Sequence, residues 1–328
     1  MRVRVVAGGL TVVALALTAA AWASAATSSI SGTAVATQRA VRIPAAGGPM
    51  IGGCPVFPAD NPWNTDVSGA PLHPRSASII ARLGGCLHPD FGENQEYGIP
   101  YVVVPADQQR VGITYDAYGD ESDPGPFPVP VGAPIEGGSG SDGDRHVLVV
   151  QQGTCELFEL YRAFPTPTGW VADAGARFDL RSNALRPLGW TSADAAGLPI
   201  LPGLVRYDEV AAGSIDHAIR VTFSQTQRGY ILPATHFASS STDPDLPPMG
   251  LRLRLAASYD ISGLTGQARV IATAMQRYGL IVADNGSNWF FQGGTDPRWN
   301  DEDLEQLKEI PGSAFEVVDT GPVQQAER

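Results

Sequence analysis

The sequence predicts a single large β-rich domain, mainly antiparallel and of sandwich or jelly-roll type, with about three inserted α-helices. Short apolar runs recur along the chain, most of them too short for helices. Gly and Pro, 37 and 27 of 328 residues, punctuate them as turn formers. The runs also lack the regular alternation with helical segments that a parallel sheet needs.

The elements are taken in chain order. Residues 1–25 read as a secretory signal peptide: Arg2 and Arg4 make a positive start, Val5 to Trp22 an apolar stretch, and Ala23-Ser24-Ala25 a small-residue cleavage site. Residues 26–53 are Ala, Ser, Thr and Gly with little periodicity, and so little apolar surface cannot offset chain entropy. They read as a disordered tether. Residues 54–320 are expected to form one domain, and residues 321–328 a disordered tail. The product expected is secreted, extracellular, free of the membrane after cleavage, and a monomer.

Within the domain, strands are predicted at 101–104, 111–115, 146–150, 156–161, 218–223, 251–255, 280–283 and 289–291. Asn285-Gly286 tolerates the positive φ angles of a two-residue turn, so the last two runs should form a hairpin. Helices are predicted over 192–212, in two pieces broken at Pro199 and Pro202, over 265–278, ending at Gly279, and over 301–308. In the first of these, Thr191 or Ser192 would be the N-cap, with Asp194 favoured by the helix dipole.

Composition excludes some functions. The net charge is −12 and Lys308 is the only lysine, so nucleic acid is not an expected partner. Three cysteines, Cys54, Cys86 and Cys155, fit one disulfide with one thiol left over, and their spacing selects no pair. The GxGxxG match at 138–143 precedes a strand where a dinucleotide site needs a helix, and reads as a flexible loop. No GKS/GKT, HExxH or GxSxG pattern occurs. No metal or cofactor is expected, calcium on the acidic loops 120–123 and 142–144 being the one ion considered.

Several ionisable residues stand against apolar runs. Asp144, Arg145 and His146 open "HVLVV", where strand alternation puts His146 with Leu148 and Val150 and Arg145 with Val147 and Val149. Asp144 and Arg145 need partners there, an ion pair being the plain structural reading. Glu159 lies mid-strand, where burial would raise its pKa toward that of a general acid. Arg206 and Glu209 can pair at i, i+3. His146, His217 and His236 are too scattered to signal a metal site, yet suit acid–base or hydrogen-bonding roles. Trp190 and Trp289, the latter near Asp284 and Asn285, offer flat apolar faces beside polar groups, as a sugar ring needs.

The strings "FPADNPWN" (57–64), "LHPDFG" (87–92), "YGIPYVVV" (97–104), "GDRHVLVV" (143–150), "GWTSADAAGLPILPGLVRYDEV" (189–210), "DHAIRVTF" (216–223), "PPMGLRLRL" (247–255) and "YGLIVADNGSNWF" (278–290) resemble an uncharacterised family of exported bacterial proteins. The resemblance spans nearly the whole domain and implies export and one integral domain. It implies no activity.

From the residues themselves, the expected function is that of a secreted carbohydrate-active protein, most simply a glycoside hydrolase using paired carboxylates. Glu159 with Asp144 or Asp194 would be catalytic. His146 and Arg220 would orient them; Trp190 and Trp289 would stack the sugar; Arg206, His217, His236, Asp284 and Asn285 would also contact it. The alternatives are a non-catalytic polysaccharide- or cell-wall-binding module and a His-dependent hydrolase of another class. All depend on these side chains gathering in one concavity.

Overall fold

The computed structural model describes residues 48–326, so the expected signal peptide, most of the tether and the last two tail residues lie outside the described residues. In chain order the elements are β1 (Met50–Ile51), β2 (Cys54–Pro55), α1 (Ser76–Leu83), β3 (His88–Pro89), β4 (Tyr101–Val104), β5 (Gly112–Tyr115), β6 (Val147–Gln151), β7 (Glu156–Tyr161), β8 (Phe164–Thr166), β9 (Gly169–Ala172) and β10 (Ala174–Asp179). Next come α2 (Tyr207–Ala212), β11 (Ile219–Phe223), β12 (Arg252–Leu255), α3 (Gly266–Arg277), β13 (Leu280–Asn285), β14 (Phe290–Phe291), α4 (Asp301–Glu305) and β15 (Phe315–Val318).

Among the described residues the fold is largely β, with four α-helices and curled sheets in one domain. A four-stranded sheet runs β10-β7-β6-β4, a six-stranded sheet β15-β12-β13-β11-β14-β3, and a three-stranded sheet β5-β9-β8. Pairing is mixed: β4·β6, β5·β9, β11·β13 and β14·β3 are parallel, the other pairs antiparallel. Sequence alternation does not reveal these parallel pairs because only β11 and β13 have a long crossover helix, α3, between them.

β6 and β7 are buried on both faces, and this fixes the layering. Leu148, Val150 and Leu157 enter the main core, together with residues of the six-stranded sheet. Val147, Val149, Phe158 and Leu160 enter a second core with Trp170 of β9. The four-stranded sheet is therefore the middle layer. Apolar side chains on both of its faces leave no room for an unpaired charge, so every ionisable group on these strands must have a partner.

Several local expectations are corrected. Residues 192–199 are not helical: Pro199 and Pro202 remove donors, and Gly197, at φ +71°, has no space for a Cβ, which would lie 2.2 Å from Thr235 Oγ1. Ser192 is no helix cap; its hydroxyl donates to the Leu198 carbonyl at 2.6 Å and accepts the Asp194 N–H. The helical part of that run is a 3-10 turn at Leu201–Gly203 followed by α2. β13 and β14 do not form a hairpin, because β11 lies between them; the Gly286 N–H bonds to Phe223 of β11. α1 is an addition to the expected helices, and Ile79, Ile80 and Leu83 give it a buried stripe. α3 forms as expected, and Gly279 follows it at φ +70°, packed on the Leu253 carbonyl.

The boundaries shift too. Met50–Ile51, assigned to the tether, pairs with Cys54–Pro55. In the tail, Gln324 exchanges two backbone hydrogen bonds with Tyr230. The 138–143 loop is ordered from within by Arg145, which donates to the carbonyls of Ser139, Ser141 and Ala163 and lies over the Phe164 ring. Arg145 thus bonds carbonyls rather than the neighbouring Asp144.

Two cross-links hold the N-terminal excursion to the body. Arg252, buried on β12, donates to the carbonyls of Tyr278, Pro62 and Thr65 at 2.7, 2.8 and 3.0 Å. Burial pushes its guanidinium down to about 9. The second is a disulfide between Cys54 and Cys155, which leaves Cys86 free.

The disulfide closes 101 residues, and chain-entropy arguments give such a loop about 4 to 5 kcal/mol. Replacing both cysteines by Ser is expected to lower unfolding stability in urea by that order. A loss below about 1 kcal/mol would show the bond to be energetically idle.

Candidate functional site

Residues 190–206 run as irregular chain between the sheets, buried except at Trp190 and Ala195. Buried backbone without a ladder must find its hydrogen bonds elsewhere. Here ionisable side chains supply many of them. Glu159 of β7 accepts the N–H groups of Ile200 and Leu201 at 2.9 to 3.0 Å. His146 Nε2 lies 3.0 Å from the Ala193 carbonyl. Asp284 of β13 accepts the Ala195 N–H at 3.3 Å, and His236 Nδ1 lies 2.7 Å from the Ala195 carbonyl.

Charge is balanced by specific partners. Arg220 of β11, 3% exposed, donates to Asp194 at 2.8 Å and to Gln292 at 2.9 Å. Asp194 also accepts the Ala196 N–H. Burial raises the Asp194 carboxyl above its ordinary value while Arg220 opposes the rise. Asp284 has no cation at its oxygens; burial and the charge of Asp194 push it up to about 7. The proton in this pair therefore belongs on Asp284, since Asp194 has the guanidinium.

A second pair lies at the neck of the glycine-rich loop. Glu136 Oε2 sits 2.6 Å from His146 Nδ1 and also accepts the His146 N–H at 3.2 Å. Both ring nitrogens of His146 face acceptors, so the ring is a cation. Burial works against that charge, but Glu136 outweighs it and holds the pKa at about 9. Burial likewise raises Glu136, and His146 brings it below its usual range. Sequence reasoning does not single out Glu136. It stands ten residues before His146, across the glycine-rich loop, a separation with no strand or helix period.

Tyr118, Asp144, Tyr161, Asp194, His236 and Asp284, with Asn285, line one cavity of about 240 Å³. Five residues expected at the site, Asp144, Asp194, His236, Asp284 and Asn285, are thus brought together. Three others, Glu159, His146 and Arg220, lie behind its wall. Glu159 is 0% exposed, and burial pushes its carboxyl up to about 7 against the pull of the Leu201 and Ile200 N–H groups. It fastens chain; it does not face the cavity.

The remaining expected residues go elsewhere. Trp289 is a core residue at φ +63°, packed on Phe223 and Phe315 with its indole N–H on the Gly84 carbonyl, and stacks no ligand. Trp190 does not line the cavity; its ring lies 5.7 Å from the Arg186 guanidinium. Arg206 and His217 both bond Glu209, a separate buried cluster. The three histidines stand with three different partners, and no group of three or more His, Cys, Asp or Glu able to hold a metal occurs among the described residues. In the acidic loop, Asp123 is taken by Arg186 and Glu121 by the Thr191 N–H.

Comparison with protein-family models, with curated proteins and with solved structures finds no match to the chain. The chemistry of the site rests on its own geometry.

Glu159 gives a signed pH test. Its folded pKa lies above its value of 4.5 outside the fold, so the fold prefers the neutral acid. Stability from this group is full below pH 4.5 and falls as pH rises toward 7. Relative to Glu159→Gln, the native protein should lose about 3 kcal/mol over that window, followed by urea unfolding. A flat difference would mean that the carboxyl is ionised throughout.

Proposed function

We propose that the protein is an exported glycoside hydrolase acting at the 240 Å³ cavity, with Asp284 as general acid and Asp144 as its partner carboxylate. The observation that carries this is the contrast between two carboxyls on one cavity. Asp284 is half-buried, has no cation bonded to its oxygens among the described residues, and is pushed up to about 7. Asp144 stands exposed on the opposite loop, and no arginine or lysine pairs with it among the described residues. Carboxyls whose environments pull their proton affinities apart are the requirement for acid–base cleavage of a glycosidic bond.

In this reading a sugar enters between Tyr118 and Tyr161. Asp284 gives its proton to the leaving oxygen as the bond to the anomeric carbon breaks. Asp144 takes the proton of the attacking water, or itself attacks the anomeric carbon. Arg220 keeps Asp194 ionised, and that charge keeps the proton on Asp284. An esterase mechanism with Ser192 is disfavoured, since its hydroxyl donates to the Leu198 carbonyl at 2.6 Å and its oxygen accepts the Asp194 N–H. Export agrees with the N-terminal leader in the sequence and with the disulfide. No helix among the described residues is long and apolar enough to cross a membrane.

A non-catalytic polysaccharide-binding site is the second reading. It draws on the backbone N–H groups of Ala195 and Asn285, which engage Asp284 structurally.

The test is polysaccharide digestion by native protein, Asp284→Asn and Asp144→Asn. The hydrolase reading expects turnover to drop about 100-fold or more in each variant, with affinity for the same glycan within a few fold. The alkaline limb of the native pH profile should lie near 7 and disappear in Asp284→Asn. Unchanged turnover in both variants removes the assignment, and glycan binding without cleavage by native protein favours the binding site.

A further inference from the structure

A second cavity, of about 430 Å³, lies at the β3 edge of the six-stranded sheet. His88 and Phe290 are register partners across the parallel β3–β14 pair, and their rings stack with centroids 4.1 Å apart at 15°. Beside this flat face stands Tyr97, 57% exposed. Trp190 and Trp289, the rings expected to form such a surface, do not supply it.

The polar lining is answered largely from within. Lys308 pairs with Glu305 at 2.5 Å, and Asp301 accepts the Glu93 N–H at 2.9 Å. Burial, then the charge of Lys308, lowers the His88 pKa, leaving a neutral ring at neutral pH. Burial raises the Asp90 carboxyl while a hydrogen bond from Gln292 opposes the rise. The cavity thus combines an aromatic face with hydrogen-bonding side chains. Such a lining, with more carboxyls than cations, suits a polyhydroxylated ring better than an anion.

This cavity also touches the buried network of the first one. Gln292 directly follows β14, whose Phe290 lines this cavity, and its carbonyl oxygen accepts from Arg220 at 2.9 Å. Arg220 in turn holds Asp194, which lines the first cavity.

We propose that the second cavity is a binding site for a neutral sugar ring, stacked on the His88–Phe290 pair and hydrogen-bonded by Asp90, Asn94 and Tyr97. It rests on the glycan reading of the protein but not on the catalytic roles of Asp284 and Asp144. The two are separable, because the second site uses no residue of the first.

The test is calorimetric titration of Asp284→Asn protein, in which cleavage is silenced, with neutral hexasaccharides built from glucose, mannose, galactose or N-acetylglucosamine. His88→Ala and Tyr97→Ala are then added singly; Tyr97 is exposed, so its replacement leaves the fold intact. At least one neutral glycan should bind, and each substitution should weaken it about tenfold, the loss of one stacking or hydrogen-bonding partner. If no neutral glycan binds, or binding is indifferent to both substitutions, the second site is refuted. Tighter binding of a uronic-acid or amino-sugar oligomer through His88 and Tyr97 also refutes it. Cleavage that depends on Asp284 while His88 and Tyr97 are irrelevant to binding keeps the hydrolase and removes this site. Binding through His88 and Tyr97 without any cleavage by native protein does the reverse.

Discussion

A stretch of irregular backbone buried between two sheets is the constraint on which the rest of this structure depends. Residues 190–206 join a sheet only at Val205 and are buried except at Trp190 and Ala195, so their N–H and C=O groups need partners outside a ladder. Strands pointing inward at that stretch therefore carry polar and charged side chains where neighbouring positions carry Val and Leu. Glu159, His146 and Asp284 are donors or acceptors for it before they are anything else. The same demand explains why buried charges occur in groups. A charge brought in to satisfy backbone requires its own counter-charge, so Glu136 accompanies His146 and Arg220 accompanies Asp194.

The candidate site arises where this arrangement meets solvent. Asp284 sits at the end of β13, with its backbone donors inward and the cavity outward. Its proton is retained because Arg220 is already committed to Asp194, 2.8 Å away. The guanidinium bonds Asp194 and not Asp284, so the two aspartates stand in different electrostatic surroundings. The order of the glycine-rich loop matters as well: Arg145, at φ +50°, fills it from inside and so fixes where Asp144 projects.

How much of this is legible in the sequence differs by residue. The main strands are readable because Val, Leu and Phe alternate over lengths too short for helices, and α3 because its apolar positions recur at helical spacing. Single polar residues in apolar strands, such as Glu159 and Arg220, are rightly conspicuous. Their function is not readable, since a carboxylate that holds buried backbone and one that faces a cavity share the same local sequence. Asp194 shows this well. Its spacing from Ser192 suggests a helix start, and only the partner 26 residues later, Arg220, reveals its actual bond. Trp289 beside Asn and Asp suggests an exposed ring, but the insertion of β11 between β13 and β14 turns it into the core. Parallel pairs and the Glu136–His146 contact depend on segments that no local period connects.

The Cys54–Cys155 bond has a temporal side. Chains are synthesised from the N-terminus. Cys86 therefore precedes Cys155, and for a time it is the sole available mate for Cys54. Oxidation that outruns emergence would join the wrong sulfurs, and repair then falls to thiolate attack from the later arrival. The spare thiol makes assembly of this domain a question of kinetic proofreading as well as of packing.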